Sequence, residues 1–342
     1  THPATPTGDR HRSFLLKKDI RLFGGFPSTV TDDATMDIRD WERYQTILSG
    51  DFNEDDGYNF ENTDENALHV VVMLNATPGM MLDGFSIMGG GGTDSLNVFI
   101  DGIPIDHECG GGIYAFSDIL SSPVISNVVI RNNKVEGDGA GFFNYSNGIA
   151  SPELIKVIML NNVEKIRGGA IYNDGRTTSS PKLLNVNITG NEAMEGGGFV
   201  CLTEVNDCTP ELENVLISGN KAKKSAGAYI FAMETNASPV ITNTTICGNK
   251  ATENGGTGGL FILATGEANP SIRNSVIWGN KSYNRKSDNM DVRSQTGAKN
   301  PVYTYSFIES MDLGETNLDK DTEPIFVNPV DADFAPTISD LG

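Results

Sequence analysis

An acidic segment near the start of the chain is rich in the oxygen ligands that hard metal ions bind. Asp51, Asn53 and Asp55 alternate at the start of this segment, and Asp64 lies further along it. Calcium in proteins is bound by several carboxylate and amide oxygens, which a short acidic loop can supply. The segment departs from an EF-hand loop, because its glycine comes one position late and Asn62 stands where a glutamate is expected. Two interpretations follow: a calcium site at Asp51, Asn53, Asp55 and Asp64, or a solvated acidic loop.

A second group of carboxylates lies just before two glycine-rich segments, residues 110–114 and 139–143. Asp106 and Glu108 come just before the first phrase, and Glu136 and Asp138 take the equivalent place before the next. Two carboxylates that flank a glycosidic bond can act as acid and base in its hydrolysis. In a polysaccharide lyase such a pair can instead hold calcium. The four residues are therefore catalytic candidates, and the alternative is that they only make the loops polar.

Aromatic side chains follow the same glycine-rich phrases. Tyr114, Tyr172 and Tyr229 recur at this place, and tyrosine combines a large apolar ring with a polar hydroxyl. If these rings face solvent, they form a row on which a saccharide can bind. If they face inward, they belong to the core. The candidates for substrate binding are Tyr114, Tyr172 and the nearby His107.

The four cysteines leave the redox state open. Cys201 and Cys208 flank one short loop, and in an oxidising compartment they could form a disulfide that closes it. The alternative is two unpaired thiols. The sequence contains neither a CxxC motif nor a paired histidine spacing, so a zinc site is not expected.

A phrase that begins with proline repeats along the chain. In residues 181–191 it has an aliphatic residue two positions after the proline, asparagine at four, an aliphatic residue at seven and asparagine at ten. The first four intervals are 29 residues each and the last two are 31. A fixed period of this length is the signature of a solenoid. The copies begin at Pro123, Pro152, Pro181, Pro210, Pro239, Pro270 and, in degraded form, Pro301.

Each column of the repeat holds one kind of side chain. Equal residues one period apart stack on each other if every repeat is one coil of a β-helix, which buries rows that no single repeat could bury. The asparagines at positions four and ten are expected at bends, where Asn tolerates a left-handed backbone and its amide can reach the next coil. The column at position seven contains Ile130, Met159, Ile188, Ile217, Ile246, Ile277 and Ile308.

These columns predict an all-β fold, a parallel β-helix (solenoid) with coils of about 29 residues. Helical repeats are excluded by the prolines, the abundance of Asn, Gly, Val, Ile and Thr, and the absence of a 3.6-residue period. We expect one domain over residues 1–342. It divides into N-terminal coils with long insertions at 1–109, regular coils at 110–311 and a C-terminal cap at 312–342.

The composition limits the partners. The net charge is −20 and the isoelectric point is about 4.5, so the surface repels nucleic acid and anionic lipid. No apolar run approaches the length of a membrane span. The chain begins at Thr1, and we expect that a signal segment was removed or that the sequence was trimmed. We also expect a monomer.

Several phrases resemble a known family. Gly-Gly-Ala-Ile-Tyr at 168–172 and the proline phrase at 180–191 resemble right-handed parallel β-helix proteins of bacterial surfaces. These include the polymorphic outer-membrane-protein type repeats and the pectin-lyase-like superfold. Residues 21–26 with 46–51 resemble the first coils of such secreted proteins from Bacteroidetes-like bacteria, and residues 324–329 resemble the segment that precedes a surface anchor.

The resemblance implies a right-handed solenoid that is secreted or faces outward on the outer membrane, held by an anchor outside this chain. It leaves the activity open, because one fold hosts many functions. The first hypothesis is a non-catalytic surface protein that binds a polysaccharide or a partner protein along its side. The second is a polysaccharide lyase or glycoside hydrolase with its carboxylates near residues 101–138. The third is an adhesin stalk without any site.

Overall fold

The computed structural model describes residues 9–30, 36–93, 98–284, 288–296 and 301–319 of the chain. Three long parallel sheets run along the molecule, and each contains nine strands. The fold is therefore a parallel β-solenoid, and the predicted fold class is confirmed. The helices in the described ranges are two short 3-10 segments, Met36–Ile38 and Tyr58–Phe60, and neither could cross a membrane.

Each coil contributes one strand to each long sheet. Sheet 1 contains Phe14–Lys17, Val71–Leu74, Ile113–Ser117, Phe142–Ser146, Ile171–Gly175, Phe199–Thr203, Ala228–Ala232, Leu260–Ala264 and Met290–Ser294. Sheet 2 contains Arg21–Phe23, Met81–Asp83, Val124–Ser126, Glu153–Ile155, Lys182–Leu184, Glu211–Glu213, Val240–Thr242, Ser271–Arg273 and Val302–Thr304. Sheet 3 contains Ile47–Ser49, Ser86–Met88, Val129–Arg131, Ile158–Leu160, Asn187–Thr189, Leu216–Ser218, Thr245–Cys247, Val276–Trp278 and Phe307–Ile308.

Shorter strands fill the corners between the long sheets. Two corner sheets have three strands each, Leu120–Ser121, Ile149–Ala150 and Thr178–Ser179 in one and Glu192–Glu195, Lys221–Lys224 and Lys250–Ala251 in the other. A two-stranded sheet joins Gly91–Gly92 and Lys134–Val135. An antiparallel hairpin, formed by Val98–Ile100 and Ile103–Ile105, projects from the coils.

Matching aliphatic residues stack as the repeat predicts. In sheet 3, Ile188 pairs with Ile217 and Ile217 pairs with Ile246, and all three side chains are fully buried. In sheet 2, Leu183 pairs with Leu212 in the same way. These rows form the main core, which runs the length of the solenoid between the three sheets. The predicted stacking of matching side chains into buried rows is confirmed.

The first asparagine column forms the bend between sheets 2 and 3. Asn185 has a φ of 57° and separates the strands Lys182–Leu184 and Asn187–Thr189. A left-handed residue here turns the chain, and Asn adopts this conformation more readily than most residues. The same positive φ occurs throughout the column, at Asn127, Lys156, Asn185, Asn214, Asn243, Asn274 and Tyr305.

The second asparagine column has a different role from the one expected. Asn191 is fully buried, and its Nδ2 donates to Oδ1 of Asn220 at 3.0 Å while its Oδ1 accepts from Nδ2 of Asn162 at 3.0 Å. The predicted amide contact between coils is confirmed. The predicted left-handed backbone is wrong for this column, because the preceding residue takes that conformation, as Asn161 and Gly190 show. The asparagine itself points inward and forms a hydrogen-bonded ladder.

The first and last coils of the described residues belong to the same architecture. The N-terminal coils place their strands in the three long sheets, and residues 51–66 form an insertion between them. At the other end, Met311 and Leu313 pack against the main core. The rest of the expected cap, from residue 320 onward, lies outside the described residues. Cys201 and Cys208 project into the main core as thiols with their Sγ atoms 3.0 Å apart, so their pairing stays a prediction.

Candidate functional site

Sheet 1 carries apolar side chains on both of its faces. Along a strand, successive side chains point to opposite sides. Ile113 and Ala115 enter the main core, whereas Tyr114 and Phe116 belong to a separate cluster on the outer face of the sheet. The outer face is therefore a second apolar surface, and it is rich in aromatic rings.

The rings of the outer face stack from one coil to the next. Phe143 lies 5.1 Å from Tyr114 and 5.3 Å from Tyr172, measured between ring centroids. Parallel stacking of this kind adds to the stabilisation that burial of the rings provides. The complete row reads Leu15, Val72, Tyr114, Phe143, Tyr172, Val200, Tyr229, Phe261 and Asp291.

The row is buried from Val72 to Tyr172. Tyr114 is only 3% exposed, and Ile100 and Ile103 of the antiparallel hairpin pack against its cluster. Tyr172 is also 3% exposed, and the guanidinium of Arg167 lies 5.1 Å from its ring centroid. Both predicted binding residues thus belong to the outer row, but little of either ring contacts solvent.

The second half of the row opens into a concavity. Tyr229 and Phe261 are partly exposed, and their ring centroids are 5.4 Å apart. The two rings line a cavity of about 240 Å³. At its rim, the Nζ of Lys224 lies 3.1 Å from a carboxylate oxygen of Glu195. The other lining residues are Ser225, Gly255, Gly256, Thr257 and Arg293.

Arg293 closes one end of this cavity. Its guanidinium lies 5.1 Å from the centroid of the Phe261 ring, and it donates two hydrogen bonds to Asp291 at 2.9 and 2.6 Å. A guanidinium on an aromatic face is held by attraction to the ring electrons. The charged groups at the rim are thus paired, whereas the aromatic rings of Tyr229 and Phe261 remain partly exposed.

A polar cluster interrupts the outer face beside Tyr172. Arg167 donates to both carboxylate oxygens of Asp138 at 3.3 and 3.1 Å, and the hydroxyl of Tyr172 donates to Asp174 at 3.0 Å. Burial raises the pKa of Asp174 to about 6, although the Tyr172 hydroxyl and Arg167 oppose the shift. Burial also raises the pKa of Asp138, and the charge of Arg167 opposes it. Two carboxyls with raised pKa values, Asp138 and Asp174, therefore lie in the polar cluster beside Tyr172.

The four predicted catalytic carboxylates lie on neighbouring loops, as stacking of the coils requires. The backbone N–H of Gly137 donates to the backbone carbonyl of Glu108 at 2.8 Å, and this bond joins the two loops. Glu136 forms an ion pair with Lys165, and Asp138 is held by Arg167. Asp106 accepts from the N–H of Glu108 at 3.0 Å. Their catalytic role stays a prediction.

The third predicted binding residue, His107, is buried and lies between His11, which is exposed, and His69, which is buried. His107 is 3% exposed, and its ring centroid is 4.7 Å from that of His11 and 5.7 Å from that of His69. Burial lowers the pKa of His69 to about 4. His107 therefore offers almost no surface to a saccharide in this arrangement.

Of the predicted calcium ligands, the structure brings two together. Oxygens of Asp51, Asp55 and Glu65 lie within 4.8 Å of one another. Asn53 and Asp64 are exposed, and Asp64 is outside the group. Glu65 was missing from the predicted set, because its approach to Asp51 depends on how the loop closes.

Sequence reasoning also missed Asp174 and the Phe261–Arg293 pair. Asp174 stands in an outward column with Phe116, Tyr145, Leu202, Phe231 and Leu263. An acidic residue between the apolar Tyr145 and Leu202 of this column was the available signal. Arg293 occupies the same column, two coils beyond Phe231.

Comparison of the chain with protein-family models, with curated proteins and with solved structures finds no match. The class that the coordinates define is a parallel β-solenoid. The candidate site of this protein lies on the outer face of sheet 1.

Proposed function

We propose that this protein is an exported β-solenoid that binds a neutral polysaccharide on the outer face of sheet 1, without cleaving it. The observation that carries the proposal is the partly exposed pair of Tyr229 and Phe261 in the floor of the cavity. Sugars have apolar C–H patches and polar hydroxyls. Binding sites for small ligands commonly combine an aromatic surface with a few polar groups, and this cavity has both.

The charges of the cavity favour a neutral ligand. Lys224 is paired with Glu195, and Arg293 is paired with Asp291, so neither cation is left to neutralise an acidic sugar. The net charge of −20 opposes the approach of polyanions. The hydroxyls of Ser225 and Thr257 supply neutral hydrogen-bonding groups at the same place.

The size of the cavity fits one unit of a longer chain. Its volume of about 240 Å³ is smaller than the pockets of about 300–1,000 Å³ that enclose drug-sized ligands. A polysaccharide would place one sugar in the cavity and extend along the solenoid. The resemblance of the repeats to those of bacterial surface solenoids supports a secreted or surface location.

The experiment is a binding screen of the purified protein on neutral and acidic polysaccharides by affinity electrophoresis. Tyr229→Ala and the more conservative Phe261→Leu remove aromatic surface from the cavity floor. We expect Tyr229→Ala to weaken binding at least about tenfold, as truncation of an aromatic anchor typically does. Tyr305→Ala is the matched control, because Tyr305 is 71% exposed and lies at the bend between sheets 2 and 3.

Two outcomes of this screen would overturn the proposal. Binding to no neutral polysaccharide would leave the stalk hypothesis, and equal losses in Tyr229→Ala and Tyr305→Ala would place the ligand elsewhere. Thermal unfolding of each variant separates a lost contact from a lost fold.

A second candidate function is glycoside cleavage, which Asp174 favours. A carboxyl with a pKa near 6 can act as a general acid at neutral pH, and Asp174 meets this condition. Asp138 is less available for the second carboxylate role, because Arg167 donates to both of its oxygens. Release of reducing ends or unsaturated products in the same screen, lost in Asp174→Asn, would establish cleavage in place of simple binding.

A further inference from the structure

The insertion at residues 51–66 is a closed acidic loop. The backbone N–H of Ala67 donates to the carbonyl of Gly50 at 2.8 Å, so the two ends of the loop meet. The loop contains seven aspartates and glutamates and no lysine or arginine. It packs on the end of a sheet 3 strand, where a Cβ built on Gly89 would lie 3.4 Å from Oδ2 of Asp56.

The closure brings carboxylates from both ends of the loop to one point. Asp51 comes from its beginning and Glu65 from its end, and together with Asp55 they offer oxygens that all lie within 4.8 Å of one another. Ca²⁺ binds oxygen at about 2.4 Å, so two oxygens on one ion can be at most about 4.8 Å apart. The spacing of the three oxygens therefore allows a shared calcium ion.

The backbone fixes the first of these carboxylates in place. Asp51 is 7% exposed, and its two carboxylate oxygens accept from the N–H groups of Asp55 at 3.3 Å and Asp56 at 3.2 Å. These bonds orient the carboxylate before any ligand arrives. A preorganised ligand loses less freedom when the ion binds.

An independent observation is a buried amide oxygen at the same place. Asn66 is 1% exposed, and its Nδ2 donates to both carboxylate oxygens of Asp56 at 3.1 and 3.0 Å, which sets the amide against the acidic cluster. Its Oδ1 has no hydrogen-bond partner, and neither has the shielded Oε1 of Glu65. Buried oxygens without donors are rare and need an explanation, and a bound ion is one.

The electrostatics of the loop agree with this geometry. Asp51, Asp55 and Glu65 bring three carboxylates together, and Asp56 lies beside them. Like charges crowd together here, and the loop contains no lysine or arginine to offset them. A divalent cation would relieve the repulsion.

We propose that Asp51, Asp55 and Glu65, with the amide oxygen of Asn66, bind Ca²⁺ and fasten the 51–66 loop to the solenoid. Calcium is favoured over magnesium because it accepts an irregular arrangement of oxygen ligands, such as an irregular loop provides. Magnesium demands a near-octahedral arrangement and keeps several waters.

The test is calorimetric titration of the full chain, freed of metal with a chelator, with CaCl₂ and separately with MgCl₂. We expect saturable binding of one Ca²⁺ that Asp55→Asn and Glu65→Gln each weaken at least about tenfold, because each removes a charged ligand. Asp64→Asn is the matched control. It removes one carboxylate from the same loop but outside the cluster, so we expect its affinity to stay within about twofold of the parent protein.

A second measurement addresses the fastening role. Calcium should slow hydrogen exchange of the amides at residues 52–64 in the parent protein and in Asp64→Asn, but not in Glu65→Gln. Absence of saturable calcium binding by the folded protein would overturn the inference. So would an equal loss in Asp64→Asn, which would indicate a diffuse acidic surface, or equal affinity for magnesium, which would contradict the calcium assignment.

Discussion

Asp174 is an acidic residue in an apolar environment on the outer face of sheet 1. Its column neighbours are Tyr145 and Leu202, and its direct partner is the hydroxyl of Tyr172 at 3.0 Å. Burial makes the charged form costly, which is why the pKa of Asp174 rises from 3.8 to about 6. The folded protein therefore holds this proton more tightly than the unfolded chain does.

This shift predicts a pH-dependent difference between the parent protein and Asp174→Asn. The favourable contribution of the protonated carboxyl is complete below about pH 4 and is lost as the pH rises through about 6. Because one pKa unit corresponds to about 1.4 kcal/mol, the free energy of unfolding of the parent protein should fall by up to about 3 kcal/mol relative to the variant. Asparagine keeps an oxygen that can accept from Tyr172.

Urea unfolding of both proteins between pH 4 and 7 measures this difference. Glu234→Gln is the control, because Glu234 is exposed and should show no such trend. A difference between the parent protein and Asp174→Asn that stays constant across this range would contradict the account.

Residue identity predicted some of these features but not others. The repeating asparagine showed that amides connect the coils, yet it did not show which residue takes the left-handed backbone. Position nine is asparagine in some coils, such as Asn161, and glycine in others, such as Gly190, and both residue types tolerate positive φ. The backbone φ angles of the structure are needed to show that position nine, and not position ten, is left-handed.

The ladder of buried asparagines is a structural element in its own right, running across the coils. Asn191 connects three coils, because it accepts from the N–H and Nδ2 of Asn162 and donates to Asn220 and to the carbonyl of Met159. Each of these groups is buried. Loss of one amide therefore leaves several donors and acceptors without partners.

Asn191→Ala should reduce the free energy of unfolding by about 3 kcal/mol or more, since each buried unpaired group costs about 1–3 kcal/mol. Asn185→Gly is the matched control, because Asn185 is exposed and glycine accepts its positive φ. We expect the control to cost less than about 1 kcal/mol. Urea unfolding with an unchanged m-value checks both, and equal costs would show that the ladder adds no special stability.

Sheet 1 shows why the proposed binding face could not be read from the sequence. Alternation distinguishes core from surface only when one set of side chains is polar. In Ile113–Ser117, both the inward Ile113 and Ala115 and the outward Tyr114 and Phe116 are apolar. The sequence therefore left open whether the tyrosines face outward. The hairpin that covers Tyr114 could not be anticipated either, because it is an insertion outside the repeat.

At the scale of the whole molecule, the register of the coils determines which side chains of neighbouring coils meet. The 29-residue offset that pairs Lys182 with Glu211 in sheet 2 also aligns Lys221 with Glu192 as an ion pair at 2.6 Å. The architecture followed from the sequence because the period is a property of the chain. The loop at 51–66 did not, because its closure depends on contacts between residues far from the repeat.

The most direct test of this account is the length of the protein after deletion of one whole coil, residues 182–210. This change joins Pro181 to Glu211, so the strand Glu211–Glu213 takes the place of Lys182–Leu184 in an unbroken register. Small-angle X-ray scattering should show a folded particle shortened by about 5 Å, the spacing of one strand. Deletion of half a coil, residues 182–196, should give an expanded chain, because no register can be restored. A whole-coil deletion that unfolds the protein, or leaves its length unchanged, would contradict the stacked architecture on which the proposed binding face depends.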